Sequence, residues 1–514
     1  MSFWSRAEED PAWIAVIEAD GTQIPAGELL SRANQITAGL RAAGLRPGDG
    51  IAALLPNGSA ALEVYLAALQ AGWYLTPINW HFTAPEVAYI IADCEAKAFF
   101  ADERFASLGA AAADQAGLPA SARVSYGTIP GFTTESGLRG GQPASRPAGR
   151  TAGATMHYTS GTTGRPKGVR RPLAGLTPED AADLGSALPL MFGVTPGQPN
   201  AHLVTSPIYH TAVTVFGGGA LHLGHTLVVM DSWDAQQALE LVERYRVTNS
   251  HMVPTQFKHL LSLPGETRGR YDLSSMRWLI HAAAPCPVGI KRAMLEWWGP
   301  CVYEYYAATE GGGTIATPQD WLERPGTVGS AWPVSTVIVT EDDGRQCPPG
   351  VPGTIYMRMG EATTFEYKDD PAKTAASRLG DLFTVGDIGY LDEDGYLFLC
   401  DRKADMIISG GANIYPAEIE AEIIMHPKVA DVAVFGIPDA EWGEQVKAVV
   451  QPVPDATPGD ELAAEILASL EGRLARMKWP KSIDFTGALP RDPSGKLLKR
   501  NLRQPYWADH SSMI

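Results

Sequence analysis

Cysteine is scarce and unpatterned in this chain. Its five residues, Cys94, Cys286, Cys301, Cys347 and Cys400, lie far apart with no CxxC pair. That excludes a disulfide framework and offers no zinc or dithiol centre, so the thiols are expected to be reduced, ordinary residues. Long apolar runs are missing too, since no uncharged stretch reaches the roughly 18 residues of a membrane span. The opening MSFWSRAEEDPAW is acidic and lacks the apolar middle of a secretory signal. A cytoplasmic protein with no membrane span is the expectation. Net positive charge is also absent. The formal balance is -17 at pH 7, which repels nucleic-acid backbones and anionic lipid and argues against both as partners. Finally, there is no Gly-x-Ser-x-Gly elbow for an α/β-hydrolase and no dinucleotide fingerprint.

What is present is size and alternation. A chain of 514 residues, 45% hydrophobic and 19% charged, exceeds one compact domain. Trp13 to Glu18 suits a strand, Asp20-Gly21 a hairpin turn, and Leu29, Leu30, Ala33, Ile36 and Leu40 recur at helical spacing. Ile51 to Leu55 then reads as a buried strand and Ala60 to Gln70 as a helix, the rhythm of stacked α/β units. Residues 127–153 are rich in Gly, Pro, Ser and Thr and read as a surface connection. Near the other end, Asp401-Arg402-Lys403-Ala404-Asp405 parts two apolar runs as a hinge would. Beyond it come a helix near Ala417 to Met425, a strand Val432 to Phe435 and a helix Glu461 to Leu474. The expected fold is α/β: a large layered N-terminal domain over residues 1–401, and a small α+β lid domain over 402–514.

One stretch is unlike the rest. Thr159-Ser160-Gly161-Thr162-Thr163-Gly164-Arg165-Pro166-Lys167-Gly168 packs glycines, hydroxyls and cations into a few turns. Glycines let backbone N–H groups approach an anion, hydroxyls donate to phosphate oxygens, and Lys167 adds a compact positive charge. These are the local donors that an acidic protein needs to receive a nucleotide. It is not a Walker A loop, because Pro166 stands where the second glycine belongs and Gly168 follows the lysine.

The string YTSGTTGRPKG resembles the signature of the adenylate-forming superfamily, and the chain is most similar in pattern to its bacterial acyl-CoA synthetases. Tyr306-Ala307-Ala308-Thr309-Glu310, Val385-Gly386-Asp387 and Pro490-Arg491-Asp492-Pro493-Ser494-Gly495-Lys496 resemble further family segments, in family order. The resemblance implies ATP-dependent activation of a carboxylic acid to acyl-AMP with pyrophosphate release, then thioester formation with coenzyme A. Two alternatives stay open: an amide synthetase with an amine acceptor, and a non-catalytic nucleotide-binding relative. Retention of Glu310 and Lys496 argues against the second, since a pure binder needs neither.

By the same resemblance, Thr159, Ser160, Gly161, Thr162, Thr163, Gly164 and Lys167 hold phosphates. Thr309 donates to the α-phosphate, and Glu310 holds Mg2+, a hard cation that wants oxygen ligands. Adenine lies between Ala283-Ala284-Pro285 and Tyr306, beside Tyr305, while Asp387 and Arg402 meet the ribose hydroxyls. Lys496 is the cation where the acid oxygen meets the α-phosphorus. His210, Val213, Ala283 and Ala308 border the acid, which the small apolar stretch Val213 to Gly219 suggests is hydrophobic. Ser409, Gly410 and Gly411 replace Lys496 when the lid rotates, letting a narrow pantetheine arm pass. Small molecules are thus the expected partners, with the protein a monomer or homodimer. Three departures from the family pattern stand out: Ala404 at the hinge, Ala307-Ala308 in place of a glycine, and Phe365-Glu366-Tyr367-Lys368 without one. His222 and His225 have no further ligands nearby in sequence and read as loop residues rather than a metal pair.

Lys496→Ala is expected to abolish acid-dependent pyrophosphate release while sparing attack of coenzyme A on preformed acyl-AMP. Pyrophosphate release at the unmodified rate contradicts the assignment.

Overall fold

Runs such as Gly50–Leu54 (GIAAL) offer water no polar face, and all five residues are buried in a parallel sheet. The computed structural model describes residues 2–159, 166–359, 365–491 and 497–507. The chain folds as two units. The first holds Met1–Met252, Leu263–Ile280 and Glu361–Ala376, and the second holds Val253–Ser262, His281–Gly360 and Ser377–Ile514.

In the first unit, strands β1 (Gly50–Leu54), β2 (Tyr74–Pro77) and β3 (Ala96–Asp102) form the middle of a six-stranded sheet. Its order is 133–134, 123–126, β3, β1, β2, 154–155. The helix Ser59–Ala71 links β1 to β2 as the crossover that parallel strands require. Ile51, Ala52, Leu54, Phe99 and Phe100 are fully buried there, each large apolar side chain contributing about 1.5–3 kcal/mol by leaving water. Residues 127–153 are largely irregular, with the short helix Glu135–Arg139.

A separate three-stranded sheet is built from β4 (His157–Thr159), β5 (Lys167–Arg170) and residues 366–367. A further sheet places β6 (Ala201–Val204) between Thr226–Val229 and β7 (Asn249–Met252), all parallel. Helix α1 (Thr211–Leu223) packs on this sheet, with Val213, Phe216, Ala220 and Leu221 all buried. His222 belongs to the last turn of α1 rather than to a loop. The apolar pattern simply continues to Leu223, and the histidine is buried with it.

The second unit opens with α2 (Pro254–Leu261) and α3 (Val288–Trp298), followed by the antiparallel hairpin of β8 (Val302–Ala308) and β9 (Gly311–Ala316). Strands β10 (Asp387–Leu391) and β11 (Leu397–Arg402) pair antiparallel in the same sheet. After Arg402 the chain makes β12 (Ile407–Ser409), β13 (Ala412–Ile414), α4 (Pro416–Ile423), β14 (Val429–Asp439) and β15 (Gly443–Pro452). Ile407, Ile414, Ile419, Ile423, Val434, Ala448 and Val450 belong to one buried cluster in this piece.

Strand β14 runs longer than the expected Val432 to Phe435, because the residues on either side also pair with β15, with a register shift between Val429 and Asp431. The helix expected over Glu461 to Leu474 stops earlier, as Asp460–Ser469.

Gly313 of β9 sits at φ +153, and a Cβ there would collide with the backbone oxygen of Tyr306. Gly313→Ala is therefore expected to destabilise the second unit by roughly 2–4 kcal/mol, through strain and overpacking together. A urea-unfolding midpoint equal to that of the parent protein contradicts this.

Candidate functional site

In the first unit the glycine- and hydroxyl-rich string connects β4 to β5, with Thr159 paired to Lys167 and Tyr158 to Gly168. Residues 160–165, and with them Ser160, Gly161, Thr162, Thr163 and Gly164, lie outside the described residues. Both feet of this hairpin are pinned. The Tyr158 hydroxyl donates to Asp93 at 2.6 Å, and the Tyr89 hydroxyl donates to the carbonyl of Pro166 at 3.2 Å. The Lys167 ammonium lies 3.4 Å from the Asp370 carboxylate. Residues 366–367 pair with β5, and the Lys368 N–H donates to the Gly168 carbonyl at 2.9 Å. The stretch that departs from the family pattern at Glu366 is thus the third strand bracing the hairpin.

His210 is the N-cap residue of α1, and its carbonyl accepts from the Thr214 N–H at 3.0 Å. Its ring centroid lies 4.4 Å from that of Tyr209, whose own ring meets Trp80 edge-on at 4.6 Å. The segment before it is held by Asn57, which donates to the carbonyls of Ser206 and Met230 and accepts from the Ile208 N–H at 2.8 Å. Asn57 is a residue that sequence reasoning missed, because Pro56-Asn57-Gly58 reads only as a turn. Val213 is buried in one cluster with Leu62, Leu66 and Val204. Gly218 and Gly219 are small because Tyr65 and Pro189 press on them; added Cβ atoms would lie 2.5 Å and 3.0 Å away. Burial holds His202 and His225 at pKa values of about 4, and His251 at about 3. His225 and His222 have different partners: the Thr195 carbonyl for the first, and the Phe3 N–H for the second.

In the second unit, Thr309 and Glu310 form the turn between β8 and β9, and Glu310 is buried. Among the described residues no group of three or more His, Cys, Asp or Glu is gathered for a metal. A magnesium ion at Glu310 therefore fits only if phosphate and water oxygens complete its shell, as is usual for this ion. Ala308 ends β8 at a register shift opposite Gly311.

Tyr305 and Tyr306 are both buried on β8. The Tyr306 hydroxyl donates to Asp387 Oδ2 at 2.7 Å, and Arg402 Nε lies 3.4 Å from Asp387 Oδ1. Asp387 and Arg402 are directly paired across β10 and β11. Burial, with the Asp387 charge beside it, pushes the Tyr306 pKa well above its ordinary value, so the hydroxyl stays a donor. Each carboxylate oxygen keeps lone pairs beyond these partners, so Asp387 can still accept from a diol.

Ala283 occupies the left-handed region at φ +75, unusual for a residue with a side chain, and it is exposed with Pro285, while Ala284 is half-buried. Just beyond, Lys291 on α3 donates to Glu304 near the start of β8 at 2.5 Å, with both side chains buried. Burial raises the Glu304 pKa against the pull of Lys291. This pair anchors the strand that carries Tyr305 and Tyr306, and no periodicity in the sequence points to it.

Beyond Arg402, Ser409 ends β12, and Gly410 and Gly411 form a two-residue turn with φ +59 and +81 into β13. That is a hairpin, the geometry in which both central residues must be left-handed. Lys496 lies outside the described residues, but Arg491 and Leu497, which flank 492–496, are bridge partners. Arg491 grips Asp431 with Nε and Nη2, at 2.5 Å and 2.6 Å.

Comparison with known proteins gives the family of the chain. The family model described as AMP-binding enzyme matches residues 3–367, and that of the AMP-binding enzyme C-terminal domain matches residues 418–496. A feruloyl-CoA synthase of Amycolatopsis sp is 34% identical over 511 residues, covering 98% of this chain and 97% of that protein. A fatty acid acyl-carrier-protein ligase of Streptomyces coeruleorubidus is 30% identical over 516 residues, with 99% and 96% covered. The ATP-bound crystal structure of MatB from Rhodopseudomonas palustris superposes with TM-score 0.80 at 31% identity, and 100% of each chain is covered.

Removing one member of the buried pair strands the other. Lys291→Met is expected to lower stability by about 3–5 kcal/mol, and Lys291→Met with Glu304→Leu to recover most of that loss. Urea unfolding of both variants checks this; a double variant no better than the single one contradicts it.

Proposed function

Because the chain belongs to the AMP-binding enzyme family and is an ATP-dependent, AMP-forming acid–thiol ligase, we propose that it activates a hydrophobic carboxylic acid and passes it to coenzyme A. The observation that carries the nucleotide half is the Tyr306–Asp387–Arg402 cluster, a carboxylate fixed by two donors and still able to accept from ribose hydroxyls. No helix among the described residues is long and apolar enough to cross a membrane.

The acid's carboxylate resists attack because its leaving group is oxide. Transfer to the α-phosphorus of ATP forms a mixed anhydride and releases pyrophosphate. In this reading Thr159 to Gly168 hold the departing phosphates, Thr309 donates to the α-phosphate, and Lys496 neutralises the charge that develops as the two anions meet. Glu310 would hold magnesium, which would supply charge withdrawal from the phosphate oxygens. Tyr306 and Ala283 to Pro285 flank the adenine. His210, Val213 and Ala308 border the acid, whose hydrophobic character is supported by the apolar α1.

The second half-reaction is attack of the thiol on the acyl carbonyl with AMP leaving. We assign residues 402–514 as a lid that turns between the two steps, carrying the Ser409 to Gly411 hairpin for the pantetheine arm. The free cysteines support a reducing, cytoplasmic site of action, and we assign the protein as a monomer or homodimer.

A panel of aliphatic and aryl acids, scored for pyrophosphate release with and without coenzyme A, tests this reading. The expected result is release that depends on a hydrophobic acid, and an acyl-CoA product when the thiol is added. Release with amino acids only, or product with an amine in place of the thiol, contradicts it.

A further inference from the structure

The two half-reactions make opposite demands on the lid, so something must set the balance between its orientations. The hinge itself is weakly marked, with Ala404 at the turn after Arg402. A stronger restraint lies elsewhere. Lys258 on α2 donates from Nζ to the carbonyl of Ile424 at 3.1 Å and to that of Val429 at 2.8 Å. Ile424 is the C-cap of α4. Carbonyls at a helix C-terminus lack intrahelical partners and carry the negative end of the helix dipole, so a lysine there satisfies both demands.

An apolar contact lies beside this polar one. Gly289 on α3 leaves space for Met425, whose Cε would collide with a Cβ at that position. Burial lowers the Lys258 pKa to about 8, while Asp431, itself gripped by Arg491, favours the ammonium form. Helices α2 and α3 precede the hinge, while Ile424, Met425 and Val429 follow it. Because Ile423 and Val429 share one buried cluster with Ile407 and Val450, holding the end of α4 holds the core of residues 402–514.

We propose that Lys258 is a positioning residue that clasps the lid across the hinge and so sets the ratio of the two half-reactions. The proposal rests on the two-step reading above. The Lys258 ammonium touches no reacting atom; it acts by stabilising one lid orientation at the expense of the other.

The test compares the parent enzyme with Lys258→Met, which keeps the stem but removes the donors, and with Lys258→Arg. Pyrophosphate release and thioester formation from preformed acyl-AMP are measured separately. In Lys258→Met the two rates are expected to move in opposite directions, changing their ratio by about tenfold, with the arginine variant closer to the parent. Trypsin cleavage after Arg402 or Lys403 reads lid freedom without chemistry, and should quicken about tenfold in Lys258→Met. Rates that fall together, or cleavage that stays at the parent rate, overturn the clasp. A parent enzyme that performs neither half-reaction, with cleavage still accelerated, overturns the two-step reading and leaves the clasp standing.

Discussion

Asp387 is held between the hydroxyl of Tyr306 and the guanidinium of Arg402. It joins three strands. Tyr306 comes from β8, whose start is anchored by the buried Lys291–Glu304 pair, and Arg402 is the last residue of β11. In the proposed reading, a nucleotide bound to this carboxylate would sit beside the end of β11, next to the proposed hinge. The geometry of the interaction is set by strand register rather than by a flexible loop.

The opposite constraint is charge. A protein with a formal balance of -17 must receive polyanionic ATP and a carboxylate, so donors have to be local and placed in advance. In the proposed reading the strands β4 and β5 of the first unit carry these donors, and their ends are fixed by Tyr158 and Tyr89. The positive residues there are restrained by partners, Lys167 by Asp370 and Lys368 by Asp369.

Much of the fold was legible because periodicity reports burial. The strand at Ile51, the helix after Ala60 and the hairpin at Asp20-Gly21 all follow from local pattern. The family resemblance also pointed to Tyr306, Asp387 and Arg402, and the structure places the first and the last of these against Asp387. What pattern could not reveal was long-range pairing. Asn57 restrains the segment before His210 across 151 residues, residues 366–367 complete the sheet of β4 and β5, and Lys258 reaches Val429 across 171. None leaves a local signal. His222 was misread for a related reason: a polar residue near a glycine looks like a loop, yet it ends a buried helix. The glycines of α1 have the converse lesson, since Gly218 and Gly219 answer to the packing of Tyr65 and Pro189 as well as to any substrate.

The central claim is that Asp387 reads the ribose of ATP. Steady-state rates with ATP and with 2′,3′-dideoxy-ATP, in the parent enzyme and in Asp387→Asn, test it most directly. The account predicts that the parent disfavours the dideoxy nucleotide by more than about a hundredfold in kcat/KM, since two hydrogen bonds to a charged group are worth about 3 kcal/mol or more, and that the variant loses most of this preference. Equal discrimination in the two proteins would contradict it.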